Sequence, residues 1–153
     1  MKNVLIFLIF ICVIATTTEE TTNEPITEES KVVTVKEPQI DEADIDLLAR
    51  LMTAEQGYNA DEKAYLYTGS VVINRVNSEY FPNTLKEVIY QAGQYECVSN
   101  GHINRDYDAV AWEIAEGLLV EGATIPSNVV FQAEFKQGGG VYDKIGRTYF
   151  CYY

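Results

Sequence analysis

The chain predicts an α+β domain, with helices first and a β-hairpin last, preceded by an N-terminal segment that stands outside the fold. Three observations carry that reading. Apolar residues recur at helical spacing in three stretches between Glu42 and Val120. Two runs rich in β-branched and aromatic residues flank Gly138-Gly139-Gly140, a hairpin pattern. The composition also changes abruptly along the chain. All ten glycines and all eleven tyrosines lie at or beyond Gly57, whereas residues 16–46 hold neither glycine nor aromatic and carry ten acidic against two basic side chains. Helices grouped ahead of strands, without an internal repeat, indicate α+β rather than an alternating α/β sheet.

At 153 residues the chain accommodates one domain of ordinary size, and 47% apolar residues suffice for one core. The formal charge of −12, from 11 basic and 23 acidic side chains, makes nucleic acid an unfavourable partner, because phosphate neutralisation supplies much of such affinity. One histidine and three cysteines are too few for a zinc site built from His and Cys alone, and no metal or cofactor is expected. The cysteine count is also far below that of a disulfide scaffold.

Lys2 followed by the apolar run Val4–Ala15 has the shape of a secretory signal, assigned to residues 1–15. Twelve helical residues span roughly 18 Å, short of the roughly 30 Å hydrocarbon core, so a simple membrane span is not expected. Two alternatives stay open: an uncleaved anchor associated with the membrane, and a lipid-modified Cys12, although Ile9-Phe10-Ile11 lack the small residue such processing wants. All three export the domain to the cell envelope or the medium. Residues 16–41 are expected to form a flexible acidic linker, since so little apolar surface cannot offset ordering entropy. The folded domain is assigned to residues 42–153. Within it Cys97 and Cys151 permit one pairing, either a bridge or two separate buried thiols.

The first helix is expected from Glu42 to Glu55, with Asp41 or Asp44 at its start and Ile45, Leu48, Ala49 and Met52 on one face. Glu55 lies three residues after Met52 and seven after Leu48, so it continues the apolar stripe. A carboxylate so placed either meets a partner, such as Arg50 or Arg75, or has its ionisation suppressed by desolvation. A second helix is expected from Asp61 to Asn77, capped by Asn59, with Ala64, Tyr67, Val71 and Asn74 inward. Phe81-Pro82-Asn83 breaks the chain, and Thr84 with Glu87 forms a capping-box pattern opening a short helix to Gln91. Gly93–Gly101 reads as a turn or small hairpin. Asp106 or Asp108 starts a further helix to about Val120 with Ala109, Trp112, Ala115 and Leu119 inward, ended by Gly122 and Pro126. Strands are expected at Val129–Phe135 and Val141–Tyr152.

The run Asp44-Ile-Asp-Leu-Leu-Ala-Arg-Leu-Met-Thr-Ala-Glu55 resembles the opening helix of the SleB/CwlJ-type cell wall hydrolases, the spore cortex-lytic family. Further matches follow in order: Asn74-Arg75-Val76, Phe81-Pro82-Asn83-Thr84, Val88-Ile89-Tyr90-Gln91 with Gly93, the stretch through Val98 and Gly101, and Ile145-Gly146-Arg147 leading to Phe150-Cys151. The resemblance spans Asp44 to Tyr153. It implies a mostly helical lysozyme-like domain acting on peptidoglycan glycan strands, with Glu55 as the catalytic acid. Gln56-Gly57-Tyr58-Asn59 departs from the family pattern by lacking a second nearby acid, and the segment between Phe135 and Val141 lacks the tryptophans of some relatives.

Glycosidic cleavage needs a carboxylic acid held protonated near neutral pH, and an apolar setting does this. The usual partner is a second carboxylate, for which Glu96, Asp106 and Asp108 are candidates and Glu96 the best placed. Asp106 and Asp108 are sufficiently explained as helix-start residues. Without a second acid, the substrate's own acetamido group can support the developing cation while Glu55 acts as acid and then base. The product is then a 1,6-anhydro sugar, the lytic transglycosylase reaction that the resemblance implies. Asn74, Gln94, Tyr95, Gln132, Tyr142 and Tyr149 are candidate sugar binders alongside Glu96, because amides and aromatic faces suit hydroxylated rings. Each also has a packing role to offer instead. His102 reads as a surface residue. An amidase is the first alternative, opposed by the lone histidine; a non-catalytic wall-binding module is the second. A monomer is the expected state.

Overall fold

The computed structural model describes residues 40–153. The segment expected at 1–15 and nearly all of the linker expected at 16–41 lie outside the described residues. Helix α1 spans Glu42–Gln56, and of the two candidate caps Asp41 takes the role, its side chain accepting from the Ala43 N–H at 3.0 Å. Ile45, Leu48, Ala49, Leu51 and Met52 are buried, as the apolar stripe requires. The helix stops at Gly57, whose φ of +86° is open to glycine without strain.

Helix α2 spans Glu62–Val76 and is capped by Asp61, not by the expected Asn59. Asn59 has φ +55°, a left-handed conformation that turns the chain after α1 and is incompatible with the extended N-cap geometry. From Thr68 to Arg75 every residue of α2 is buried, because α1, α3 (Leu85–Ile89), α5 (Ala109–Glu121) and strand β1 (Val129–Ala133) surround it. Gly69 makes that enclosure possible. A Cβ there would lie 2.4 Å from Leu118 Cδ1 and 2.7 Å from Met52 Sδ, so the glycine lets α2 sit between α1 and α5.

Thr84 caps α3, its hydroxyl accepting from the Glu87 N–H at 3.3 Å and donating to the Glu87 carboxylate at 2.7 Å; the helix ends two residues before the expected Gln91. Gly93–Gly101 is not a hairpin. It holds the one-turn helix α4 (Glu96–Ser99), followed by a 3₁₀ turn at His102–Asn104. Local turns satisfy their own backbone groups (Asn100 N–H to Glu96 O at 3.0 Å, Arg105 N–H to His102 O at 3.1 Å) while Cys97 and Ile103 enter the core.

In α5 the buried stripe is Ala111, Ala115 and Leu118, with Trp112 and Leu119 half-buried and Ala109 exposed. The expected inward positions at Ala109 and Leu119 are therefore out of phase. Asp108 starts the helix, and seating Leu118 against Gly69 rotates it from the phase that Trp112 suggested. Trp112 stacks instead on Tyr107, with ring centroids 5.0 Å apart.

The sheet has three antiparallel strands in the order β1–β3–β2, where β2 is Gly140–Ile145 and β3 is Thr148–Tyr152. The stretch expected as one strand, Val141–Tyr152, is itself a hairpin. It bends at Gly146-Arg147, with Gly146 at φ +57°, as a two-residue turn with glycine first requires. Val71, Ile125, Val129 and Phe150 form a second buried cluster that joins sheet to α2. Cys97 and Cys151 are both buried and unbridged. The architecture is α+β, mostly helical, with the small sheet at its C-terminal end.

Candidate active site

Glu55 is the penultimate residue of α1 and half-buried. Burial raises its pKa above the ordinary 4.5; the thiol and backbone amide of Cys97 oppose this, Glu96 adds to it, and the more remote positive charge of Arg75 opposes it. The carboxyl end of α1 adds its own negative pole. Neither arginine that could have neutralised Glu55 is paired with it. Arg50 binds Asp46 at 2.6 Å and also donates to the Arg105 carbonyl. Arg75 is buried, donates to Val130 O at 2.7 Å and to the Tyr95 hydroxyl at 3.2 Å, and lies over the rings of Phe81 and Tyr95. Desolvation thus raises the Glu55 pKa, and its carboxyl borders a cavity with neither arginine bonded to it.

That cavity, about 350 Å³, is bounded on the helical side by Ala54, Glu55, Gln56, Glu96, Cys97, Asn100 and His102, and on the sheet side by Gln132, Ala133, Glu134 and Thr148. A hollow of about 520 Å³ shares Glu55, Gln56, Glu134 and Thr148 with it and continues past Asp61 and Ala64 to the Gly146-Arg147 turn. On the other side a hollow of about 150 Å³ shares Ala54 and His102 and continues past Tyr58 to Arg105 and Asp106. The three adjoin in series and make one groove with Glu55 midway along it.

Of the residues expected to bind sugar, Glu96 and Gln132 line the groove beside Glu55. Gln132 Oε1 is buried without a hydrogen-bond partner, an acceptor aimed at nothing within the protein. The other five do not border this groove. Asn74 is buried, its Nδ2 donating to Pro126 O at 2.9 Å and Val129 O at 3.0 Å, which clamps α2 to the entry of β1. Tyr95 is buried against Arg75, and burial pushes its hydroxyl up to about 12. Gln94 is exposed in the loop before α4. Tyr142 packs edge-on against Tyr152 and beside Tyr67, and Tyr149 lies under Lys144. Core and strand packing holds the three tyrosines. Asp106 borders the far end of the groove, and Asp108 caps α5.

Sequence reasoning passed over His102, which borders the groove instead of standing free on the surface, and also Gln56, Asn100, Glu134 and Thr148. Glu134 had a signal, although β1 itself ends at Ala133: it lies within the run Val129–Phe135 expected as a strand, two residues beyond Gln132, where side chains two apart share a face. It pairs with the exposed Arg147 at 2.8 Å. Asn100 had none, because Gly93–Gly101 reads as a turn or small hairpin, and His102 had none, because a lone histidine after that segment reads as a surface residue.

Comparisons with known proteins agree with this arrangement. A family model described as Cell Wall Hydrolase matches residues 59–151, well over half of the chain. The chain belongs to the cell wall hydrolase family. It is a peptidoglycan-degrading enzyme. The matched region begins just after Glu55, so the assignment rests on α2 and everything beyond it. Among solved structures, the catalytic domain of the Bacillus cereus SleB protein is similar at a TM-score of 0.64 and 21% identity, over 74% of this chain and 93% of that one. The catalytic domain of the germination-specific lytic transglycosylase SleB from Bacillus anthracis is similar at 0.63 and 20%, over 74% and 98%. At these identities the likeness establishes the fold. No curated protein sequence matches.

Proposed function

We propose that this cell wall hydrolase is a lytic transglycosylase that cleaves the bond between N-acetylmuramic acid and N-acetylglucosamine, with Glu55 serving as acid and then as base. One observation carries the reading: a half-buried carboxyl, bonded to neither neighbouring arginine and with its pKa raised by burial, midway along a groove open to both sides. Glu55 protonates the bridging oxygen as its bond to the muramic C1 breaks. The departing N-acetylglucosamine keeps that proton as a hydroxyl. The substrate's acetamido group supports the cation at C1. The Glu55 carboxylate then takes the proton from the muramic 6-hydroxyl, whose oxygen closes onto C1. Glu55 is protonated again, and no water is consumed. The buried Oε1 of Gln132 supplies an acceptor for a substrate N–H. The lytic transglycosylase name borne by the similar Bacillus anthracis domain supports the same choice.

A second reading, hydrolysis with a two-carboxylate pair, draws support from Glu96 and Glu134, which line the same groove and could hold a water. Mass spectrometry of muropeptides released from purified peptidoglycan separates the two. Termini in anhydro-muramic acid are expected. Reducing ends heavier by one water would establish the hydrolytic reading, and new free alanine amines would establish an amidase. We also propose that the domain, residues 42–153, acts as a monomer outside the cytoplasm, carried there by a signal or held by an anchor; the wall substrate and the apolar run at Val4–Ala15 support this reading.

A further inference from the structure

The molecule has a second pocket, about 420 Å³, that shares no lining residue with the catalytic groove. It lies where the end of α2 meets the start of β1, whereas the groove meets β1 at Gln132 and Ala133. From Val130 to Ala133 the strand advances roughly 10 Å, so the two hollows are separate stations along it. One wall of the second pocket is formed by Tyr80 and Tyr153, whose rings stack at 4.6 Å and 15°. Phe131 continues the row at 5.9 Å and 14° from Tyr153. Tyr80 and Tyr153 are 62% and 56% exposed, an unusual outlay of aromatic surface for a small domain.

Polar groups converge opposite that wall. Asn74, 4% exposed, has both Nδ2 hydrogens committed to Pro126 O and Val129 O, so its Oδ1 is the atom it offers to the pocket it lines. The two carbonyl partners settle which atom is nitrogen. Asn77 and Asn128 stand exposed at the rim with Glu79. A flat apolar ring beside a rigid amide acceptor and further amides is the chemistry that receives an N-acetylated sugar: the ring carbons lie on the aromatic face and the acetamido N–H reaches the fixed oxygen. Glu79, on a chain of net charge −12, disfavours an anionic peptide in the same place.

We propose that this pocket is a second, non-catalytic binding site for the N-acetylated glycan of the wall, holding the enzyme to insoluble substrate while the groove works on another segment. The proposal rests on the peptidoglycan substrate and not on which bond is cut. Its test uses full-length Glu55→Gln protein, so retention is read without turnover. Tyr80→Ala is expected to raise the apparent Kd for purified sacculi about tenfold, the worth of one aromatic contact, with Tyr80→Phe retaining affinity. With Glu55 intact, Tyr80→Ala is expected to slow digestion of sacculi yet leave the rate on short soluble glycan fragments unchanged. Chemical shifts of Tyr80 and Asn74 are expected to move on adding a β-1,4 N-acetylglucosamine tetrasaccharide. Unchanged retention, an equal loss on soluble fragments, or sedimentation showing that Tyr80→Ala breaks up a self-associated species would each overturn it. A failure of the transglycosylase reading would appear in the products and leave retention untouched.

Discussion

Two carboxylates at neighbouring helix ends have been driven in opposite directions. Glu55 closes α1, at the end where carbonyls accumulate, and burial raises its pKa. Asp108 opens α5, accepts from the backbone N–H groups of Asn59 at 2.8 Å and Val110 at 2.9 Å, and these bonds hold its pKa below the usual 3.8. The two ends are tied together. Thr53 on α1 accepts from the Asp108 N–H at 2.9 Å, and the Tyr65 hydroxyl donates towards both Gly57 O and Asp108. The difference teaches how one small domain separates structure from chemistry: backbone donors lower the pKa of the acid that caps a helix, and burial raises the pKa of the acid on the groove.

The contrast predicts opposite outcomes for the two substitutions. Glu55→Gln is expected to lower peptidoglycan turnover about 10³-fold or more, since one group supplies both proton transfers. It should also raise the melting temperature at neutral pH. A carboxyl with a raised folded pKa binds more protons folded than unfolded, so its ionisation costs stability as pH climbs from the unfolded value of 4.5 through the folded one. The advantage of Gln should vanish in acid below that window. A lower melting temperature instead would make Glu55 a structural residue.

Asp108→Ala is expected to do the reverse, lowering the melting temperature by several degrees while turnover per folded molecule stays within a few-fold. Its lowered pKa means the contribution is present above the unfolded pKa, near 3.8, and is lost as pH falls through the folded value, so the gap from wild type should close in strong acid. Thermal melts at pH 7 and below pH 3 test the sign. Tyr65→Phe, which removes the hydroxyl shared between the two ends, is expected to cost roughly 0.5–1.5 kcal/mol by urea denaturation.

The smallest effects concern the alkaline limb of the activity profile, where Glu55 loses its proton. Glu96→Gln removes a neighbouring negative charge and should bring that decline to lower pH; Cys97→Ala removes a thiol that favours the ionised form and should carry it higher. Shifts in the same direction would refute the electrostatic account. Complete loss of activity in Glu96→Gln would favour the two-carboxylate reaction.

Much of this molecule could be read before folding it. The stripe Ile45–Leu48–Ala49–Met52 ending at Glu55 is a local property of α1, because 3.6-residue periodicity assigns faces without knowledge of partners. Asp41 and Thr84 were recognisable as caps for the same reason. The Asn59 cap failed because the chain reversal after Gly57 decided its backbone, and the phase of α5 failed because the contact between Gly69 and Leu118 outweighed the pattern around Trp112. The sugar-binding assignments divided along the same line. Residue type proposes an amide or a tyrosine, but whether it faces a groove or a core depends on what packs against it, as Gln132 and Tyr95 illustrate.

What the sequence determined by itself was the order of elements, the acidic excess and the placing of one carboxyl on a buried stripe, all set by neighbours within a few positions along the chain. The tertiary structure alone decided that the stripe opens onto a groove, that Gln132 on β1 and Glu134 just beyond it line that groove with Glu55, and that neither Arg50 nor Arg75 bonds to it. Gln132 and Glu134 stand more than seventy positions from Glu55, and no local periodicity encodes a contact at that separation.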